Sequence, residues 1–270
     1  MTNKWLKVAL MVTAIATGTS IKIDAETVLY VPQDDRPVSL QYTVDTAREA
    51  GMTVLTPPQH LISGKTYQGQ ADQIMAWVEQ NAGRADVMVL STDTLIYGGL
   101  VDSRKHNIPL STLQNRLKRI EGLKARNKNV RIYGFGTVMR SPRASGGGTE
   151  PAYYAEYGPT IFQIAALQDK LDSGSLTQEE TQKLMSLQAS VPVEYLQDWF
   201  DRRQKNMKIN KELIDETRSG VFDYFALGHD DTSQLSQSAL EGRYLNKYSK
   251  DISVEKYGSF PGADQLGLLL

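Results

Sequence analysis

The stretch TVLYVPQDDRPV, residues 27–38, joins a short apolar segment to a cluster of charged residues, and the same arrangement recurs along the chain. A second example is VMVLSTD at residues 87–93. Short apolar segments that end in polar turns are typical of buried strands in a parallel sheet. Helical patterns separate these segments, for example at residues 40–50 and 111–126. The alternation predicts repeated βα units and an α/β fold.

The number and order of the predicted elements favour one domain spanning residues 26–270. We expect an incomplete (β/α) barrel of the TIM type, and an open parallel α/β sheet is the alternative. A stretch at about 151–219 interrupts the alternation with three predicted helices, and we interpret it as a helical insertion between strands. The remaining predicted strands are residues 52–56, 130–134, 222–227 and 253–259, and the insertion helices are residues 156–171, 177–189 and 193–217.

Local signals refine this outline at a few positions. Thr177 and Glu180 have the spacing of a capping box, and Ser111 is predicted to cap the helix that follows it. Residues 141–150 are rich in Gly, Ser and Pro and predict a surface loop, and residues 97–104 predict a flexible loop around two glycines. The sequence stops on an uncapped apolar run at residues 267–270, so we expect it to be the front part of a longer protein.

The N-terminus has the pattern of a cleavable secretory signal peptide covering residues 1–25. Lys4 and Lys7 precede an uncharged apolar segment, Val8 to Ala16, and a short side chain at Ala25 is suited to cleavage. This segment is far shorter than the roughly 20 residues that span a bilayer. We therefore expect a secreted or periplasmic protein that has no membrane association after cleavage.

Composition excludes several classes of function. The chain has no cysteine, so disulfides and thiolate chemistry are ruled out. Its 30 basic and 31 acidic residues give a net charge of −1, which provides no basic surface for nucleic acid or for a membrane. Function must therefore depend on specific side chains.

Those side chains are expected where the predicted strands end. The carboxyl ends of parallel strands gather at one edge of a sheet or barrel, and most of the predicted strands here end in polar clusters. The alternative is that residues such as Ser91, Thr92 and Asp264 only cap the helices that follow. A doubled carboxylate exceeds what one cap requires. The candidate catalytic residues are Asp230 and Asp231, and the candidate substrate-binding residues are Asp34, Asp35, Arg36, Asp93, Tyr97, Arg140, His229 and Asp264.

Known cofactor motifs are missing from the sequence. The glycines form neither GxxxxGK[ST] nor GxGxxG, which disfavours nucleotide binding. There is no HExxH motif for zinc. No cofactor is expected, and the alternative is a divalent cation held by several aspartates.

Several separated segments of the sequence have distinctive motifs: VPQDDRPV at 31–38, LSTDTLIYGGL at 90–100, LGHDDT at 227–232 and FPGAD at 260–264, with shorter ones at 139–140 and 153–154. Together they resemble one bacterial family, the domain-of-unknown-function family 4127. The resemblance covers nearly all of the chain after the signal peptide. Members of this family are typically much longer than 270 residues, and the family name implies no activity. The resemblance therefore implies only that the matching positions form one site.

The acidic strand ends lead to three hypotheses for function. The first is a glycoside hydrolase-like enzyme acting on a carbohydrate or another small polar substrate, in which Asp230 orients a substrate acetamido group and Asp231 protonates the leaving oxygen. The second is a hydrolase that uses a divalent cation held by aspartates and His229. The third is a non-catalytic protein that binds a glycan or another solute.

Overall fold

The computed structural model describes residues 25–145, 147–231 and 233–270. The predicted signal peptide, apart from Ala25, lies outside the described residues. A single sheet of six parallel strands forms the centre of the fold, in the order β2-β1-β3-β4-β5-β6. The strands are β1 (Thr27–Val31), β2 (Thr53–Leu55), β3 (Val87–Ser91), β4 (Arg131–Val138), β5 (Tyr224–His229) and β6 (Tyr257–Pro261).

The sheet is open, so the alternative architecture is confirmed and the barrel is not. In a barrel each new strand is added beside the preceding one on the same side. Here β3 pairs with β1 on the edge opposite β2, so the direction of strand addition reverses at β1. The reversal leaves β2 and β6 as the two edges of the sheet.

Helices connect the strands, and no described helix is long and apolar enough to cross a membrane. Two short 3-10 turns, at Gln59–Leu61 and Ala82–Arg84, complete the connections. The helices are α1 (Gln41–Glu49), α2 (Ala71–Asn81), α3 (Thr92–Tyr97), α4 (Leu100–Lys105), α5 (Leu110–Arg126), α6 (Tyr154–Asp172), α7 (Gln178–Ser190), α8 (Val193–Ser219), α9 (Gln237–Tyr248) and α10 (Leu266–Leu269).

Alternate residues of each strand point to the two faces of the sheet, as the period of a strand requires. On one face Leu29 and Leu90 belong to the larger core, which also contains apolar residues of α2, α5 and α8. On the other face Tyr30 and Val89 belong to a smaller core with Val44 of α1 and Leu266 of α10. Both faces are therefore apolar, which explains why the strands are continuous apolar runs in the sequence.

Three helices lie between β4 and β5. Residues of α6 and α7 enclose a separate apolar cluster together with Trp199 near the start of α8. The second half of α8 instead contributes Ile209, Leu213 and Ile214 to the larger core against the sheet. One helix of 27 residues thus joins the additional helices to the sheet.

The local predictions have mixed outcomes. The capping box is confirmed, because Thr177 accepts from the backbone N–H of Glu180 and the Glu180 side chain accepts from that of Thr177. The cap at Ser111 is wrong, since α5 already begins at Leu110 after Pro109. The prediction of a flexible loop at 97–104 is also wrong. Only Gly98 and Gly99 separate α3 from α4 there.

The position of α8 predicts a difference between two leucine substitutions. Leu213→Ala removes a side chain that is 1% exposed against the sheet, and we expect it to lower the free energy of unfolding by about 2–5 kcal/mol. Leu171→Ala, at a position that is 58% exposed on α6, is the control and should change it by less than about 0.5 kcal/mol. Urea denaturation measures both, and equal losses would contradict this packing.

Candidate functional site

A cavity of about 300 Å³ lies among the segments that follow the strands. The strand order reverses between β2 and β3 around β1, and in open α/β sheets ligands bind beyond the carboxyl ends of the strands at such a point. Segments after β1, β4, β5 and β6 contribute to its wall, together with α4. The lining residues of this charged cavity are Asp34, Arg36, Lys65, Leu100, Val101, Arg104, Arg140, Thr149, Asp230 and Asp264.

Arg36 joins two carboxylates of the cavity wall. Its Nε donates to Oδ2 of Asp34 and its Nη2 donates to Oδ1 of Asp264, both at 2.8 Å. Asp34 directly follows β1 and is buried, whereas Asp264 follows β6 and its side chain is 52% exposed. The guanidinium therefore holds together two segments that are 228 residues apart in the sequence.

Arg104 and Asp230 form the more buried ion pair. Nη2 of Arg104 donates to Oδ2 of Asp230, and the two side chains are only 5% and 13% exposed. Burial raises the pKa of the Asp230 carboxyl, although the charge of Arg104 acts in the opposite direction. Burial likewise lowers the pKa of Arg104, because the charged form loses hydration.

The end of β4 is fixed by a second group of contacts. Arg140 donates through Nε to Oε1 of Glu150 at 2.7 Å and through Nη2 to Oγ1 of Thr149 at 2.6 Å. Arg203 of α8, itself buried, donates to the carbonyl oxygens of Arg140 and Met139 at 2.9 and 2.7 Å. The additional helices thus position one wall of the charged cavity.

Asp93 is enclosed and does not line the charged cavity. Its Oδ2 accepts from Oγ1 of Thr137 at 2.7 Å and from Nε2 of Gln33 at 3.2 Å. Burial raises the pKa of Asp93 to about 6, and the charge of Asp230 adds to this effect. Asp93 therefore ties the ends of β1, β3 and β4 together.

The adjacent carboxylates of Asp230 and Asp231 point in different directions. Asp231 accepts from the backbone N–H of Ser233 at 2.9 Å and from that of Ser141 at 3.3 Å. It does not line the charged cavity. Neither residue caps α9, whose N-cap is Ser236. Asp231 thus holds the loops after β4 and β5 together.

Three further candidates also lie away from the charged cavity. The hydroxyl of Tyr67 donates to Asp35, on another side of the loop after β1. The ring of Tyr97 packs on His106 with centroids 4.9 Å apart. Nε2 of His229 lies 2.7 Å from Oγ of Ser259 on the neighbouring strand. These contacts support the loops and the sheet edge.

The structure therefore brings five of the predicted site residues together in the charged cavity. Of the three residues for which helix capping was the alternative role, it supports capping for one, Ser91. Oγ of Ser91 accepts from the backbone N–H of Thr94 and caps α3. Sequence reasoning missed Lys65 and Arg104 as cavity residues. Arg104 was missed because α3 and α4 are too short for a helical period to be visible. The predicted residues that line the charged cavity are Asp34, Arg36, Arg140, Asp230 and Asp264.

Comparison with known families gives one match. The profile of a family described as a protein of unknown function, DUF4127, matches residues 28–270. The chain belongs to the DUF4127 family. No curated protein matches the sequence. The resemblance inferred from the separated motifs is confirmed, and the family description assigns no activity.

Among the described residues of this DUF4127 protein, no group of three or more His, Asp or Glu side chains is arranged to hold a metal ion. His229, which the metal hypothesis requires, contacts Ser259 instead of the aspartates of the cavity. The geometry therefore gives the divalent-cation alternative no support.

The buried Asp93 predicts an unusual dependence of stability on pH. Its folded-state pKa of about 6 exceeds the ordinary 3.8, so the folded protein holds this proton more tightly than the unfolded chain does. The contribution of Asp93 to the free energy of unfolding is present below about pH 4 and is lost as the pH rises through about 6. Asp93→Asn has no carboxyl group to titrate and does not show this loss. The free energy of unfolding of the variant minus that of the original protein should therefore rise by on the order of 2–3 kcal/mol as the pH is raised through this range.

Urea denaturation of both proteins at several pH values measures this difference. Asp72→Asn is the control of opposite sign, because hydrogen bonding to Arg116 lowers the pKa of Asp72. The contribution of Asp72 is lost as the pH falls, so its substitution should destabilise at neutral pH and lose that effect in acid. If the free energies of unfolding of Asp93→Asn and the original protein differ by the same amount at every pH, the raised pKa of Asp93 is contradicted.

Proposed function

We propose that this DUF4127 protein is an exported, glycoside hydrolase-like enzyme that binds a small polar substrate in the charged cavity. Asp230 is the general acid in this proposal. The observation that carries it is a largely buried carboxyl group in the cavity wall whose pKa is raised by burial. A carboxyl group of this kind keeps its proton at a pH where an exposed aspartate has lost it, and can therefore donate it.

The surroundings of Asp230 support this role. The charge of Asp264 raises the pKa of Asp230 further, and Arg104 holds one of its oxygens in place. Asp34 and Asp264, both fixed by Arg36, are suited to accept hydrogen bonds from sugar hydroxyls. Asp231 positions the loop in this proposal, because backbone N–H groups already occupy its two oxygens.

The proposed reaction begins when Asp230 gives its proton to the glycosidic oxygen. As that C–O bond breaks, the acetamido oxygen of an N-acetylhexosamine substrate attacks the anomeric carbon and forms a cyclic intermediate. Water then adds to the anomeric carbon, the ring of the intermediate opens, and Asp230 takes a proton from the water. The acid thus becomes the base in the second step, and its original protonation is restored.

A specific observation also favours a second function, binding without catalysis. All three carboxylates of the charged cavity are paired with an arginine, Asp34 and Asp264 with Arg36 and Asp230 with Arg104. Carboxylates fixed in this way provide oriented acceptors for the hydroxyls of a ligand. Ligand would then raise the melting temperature, and no product would form.

Substitution of Asp230 tests the acid role. With aryl N-acetylglucosaminides as substrates, Asp230→Asn should lower kcat by about 10²–10⁴-fold. The loss should be smallest for the most acidic phenol, because a good leaving group needs little protonation. Asp231→Asn is the matched control, and its loss should be smaller and independent of the leaving group. An unchanged rate in Asp230→Asn, or a dependence on leaving group confined to Asp231→Asn, would exclude the proposed acid.

Export is tested separately from catalysis. If residues 1–25 are a signal peptide, protein recovered from outside the cytoplasm of a bacterial host should begin at or near Glu26. Mass spectrometry of the intact protein measures this. Replacing Lys4 and Lys7 by Glu should retain the uncleaved chain in the cytoplasm, and cleavage that is unaffected by this change, or absent in both, would contradict the interpretation.

A further inference from the structure

The guanidinium of Arg104 has fewer partners than its burial requires. An arginine carries five N–H donors, and a buried charge is costly unless these donors are bonded. The side chain is 5% exposed, and its Nη2 donates a hydrogen bond to the carboxylate of Asp230. Within the part of the chain that the structure describes, its Nε has no hydrogen-bond partner. The guanidinium of Arg104 thus lies at the charged cavity with an N–H donor that has no acceptor among the described residues.

Three other cations line the same cavity. Arg36 joins Asp34 and Asp264, and the remaining two are Arg140 and Lys65. The charge of Arg140 contributes to lowering the pKa of Arg104, and the charges of Asp230 and Glu150 act in the opposite direction. Lys65 is exposed at the cavity and forms no salt bridge with any described residue. Arg104 is bonded to Asp230 and Arg140 is bonded to Glu150. The cavity wall nevertheless carries four basic side chains and three carboxylates, so a bound anion adds a favourable countercharge.

We propose that the charged cavity selects ligands that carry a carboxylate or phosphate group, and that Arg104, Arg140 and Lys65 bind this group. The shared chemistry is a compact anion with at least two oxygens, which matches the planar fork of a guanidinium. A volume of about 300 Å³ fits an anion carried on a single sugar ring. That the ligand is a sugar rests on the proposed function. The anion preference narrows the substrate class of that function to acidic sugars.

Binding of the anion also affects the proposed acid. Asp230 shares the cavity with this group, and a nearby negative charge raises the pKa of a carboxyl group. An anion on Arg104 also offsets the charge that favours ionised Asp230. An acidic substrate therefore favours the protonated form of Asp230 more strongly than a neutral sugar does.

Isothermal titration calorimetry with three monosaccharides tests the inference. The ligands are D-glucuronate for a carboxylate, D-glucose 6-phosphate for a phosphate and neutral D-glucose as the control. At low ionic strength we expect at least one anionic sugar to bind about tenfold or more tightly than D-glucose. The preference should shrink as salt is added, because salt screens exposed charges such as Lys65. Equal affinities for all three sugars, or no measurable binding, would overturn the proposal.

Two substitutions locate the anion. Arg104→Lys keeps the charge and loses the fork, and it should weaken binding of the anionic sugar about tenfold. Lys65→Met changes an exposed side chain, so it keeps the fold even if Arg104→Lys does not, and it should weaken binding by a few-fold. Arg126→Gln, at an exposed arginine on α5 outside the cavity, is the control and should leave affinity unchanged. Unchanged affinity in Lys65→Met and in folded Arg104→Lys would also overturn the proposal.

Failure of this inference is distinguishable from failure of the proposed function. If the protein hydrolyses a neutral glycoside and shows no preference for anionic sugars, the inference of an acidic substrate is contradicted and the proposed glycosidase activity is retained. If the protein binds an anionic sugar tightly but hydrolyses no glycoside, the anion site is retained as that of a binding protein and the proposed glycosidase activity is contradicted.

Discussion

Because all six strands are parallel, the polar segments that follow them leave the sheet at the same edge. Carboxylates and guanidiniums are thereby gathered into a small volume, where each charge needs a partner or water. The reversal of strand order at β1 opens space for a ligand among these segments. The position of the charged cavity follows from this topology, and its detailed chemistry follows from how the gathered charges are paired.

Arg36 and Arg104 pair these charges, and Arg203 supports the cavity wall through backbone carbonyls; each of the three joins parts of the chain that are distant in sequence. Arg36 connects the segments after β1 and β6, Arg104 connects α4 to the segment after β5, and Arg203 connects α8 to the end of β4. Such contacts contribute little net stability when both partners could instead be hydrated. Their effect is to fix loop geometry, which a binding site requires.

The sequence predicts much of this architecture because its signals are local. Apolar runs, helical periods and the Thr177 capping box depend on neighbouring residues, and they place the strands and the long helices within a few residues. The reversal at β1 depends on which strands pair, and no local pattern encodes that choice, so the expected barrel was wrong and the alternative, the open sheet, is the observed architecture. Arg104 was overlooked for a related reason, since its role depends on a carboxylate 126 residues away.

The aspartate doublets show most clearly why the site itself resists prediction from sequence. Asp34 and Asp35 lie in a bend after β1, and Asp230 lies in a bend directly after β5, so the local backbone path decides where each carboxylate points. Asp34 and Asp230 line the charged cavity, whereas Asp35 and Asp231 contact the supporting loops. Both doublets thus divide into one cavity residue and one loop residue. In this fold the neighbouring donors decide the division, because the Tyr67 hydroxyl binds Asp35 and backbone amides bind Asp231, which leaves Asp34 and Asp230 at the cavity.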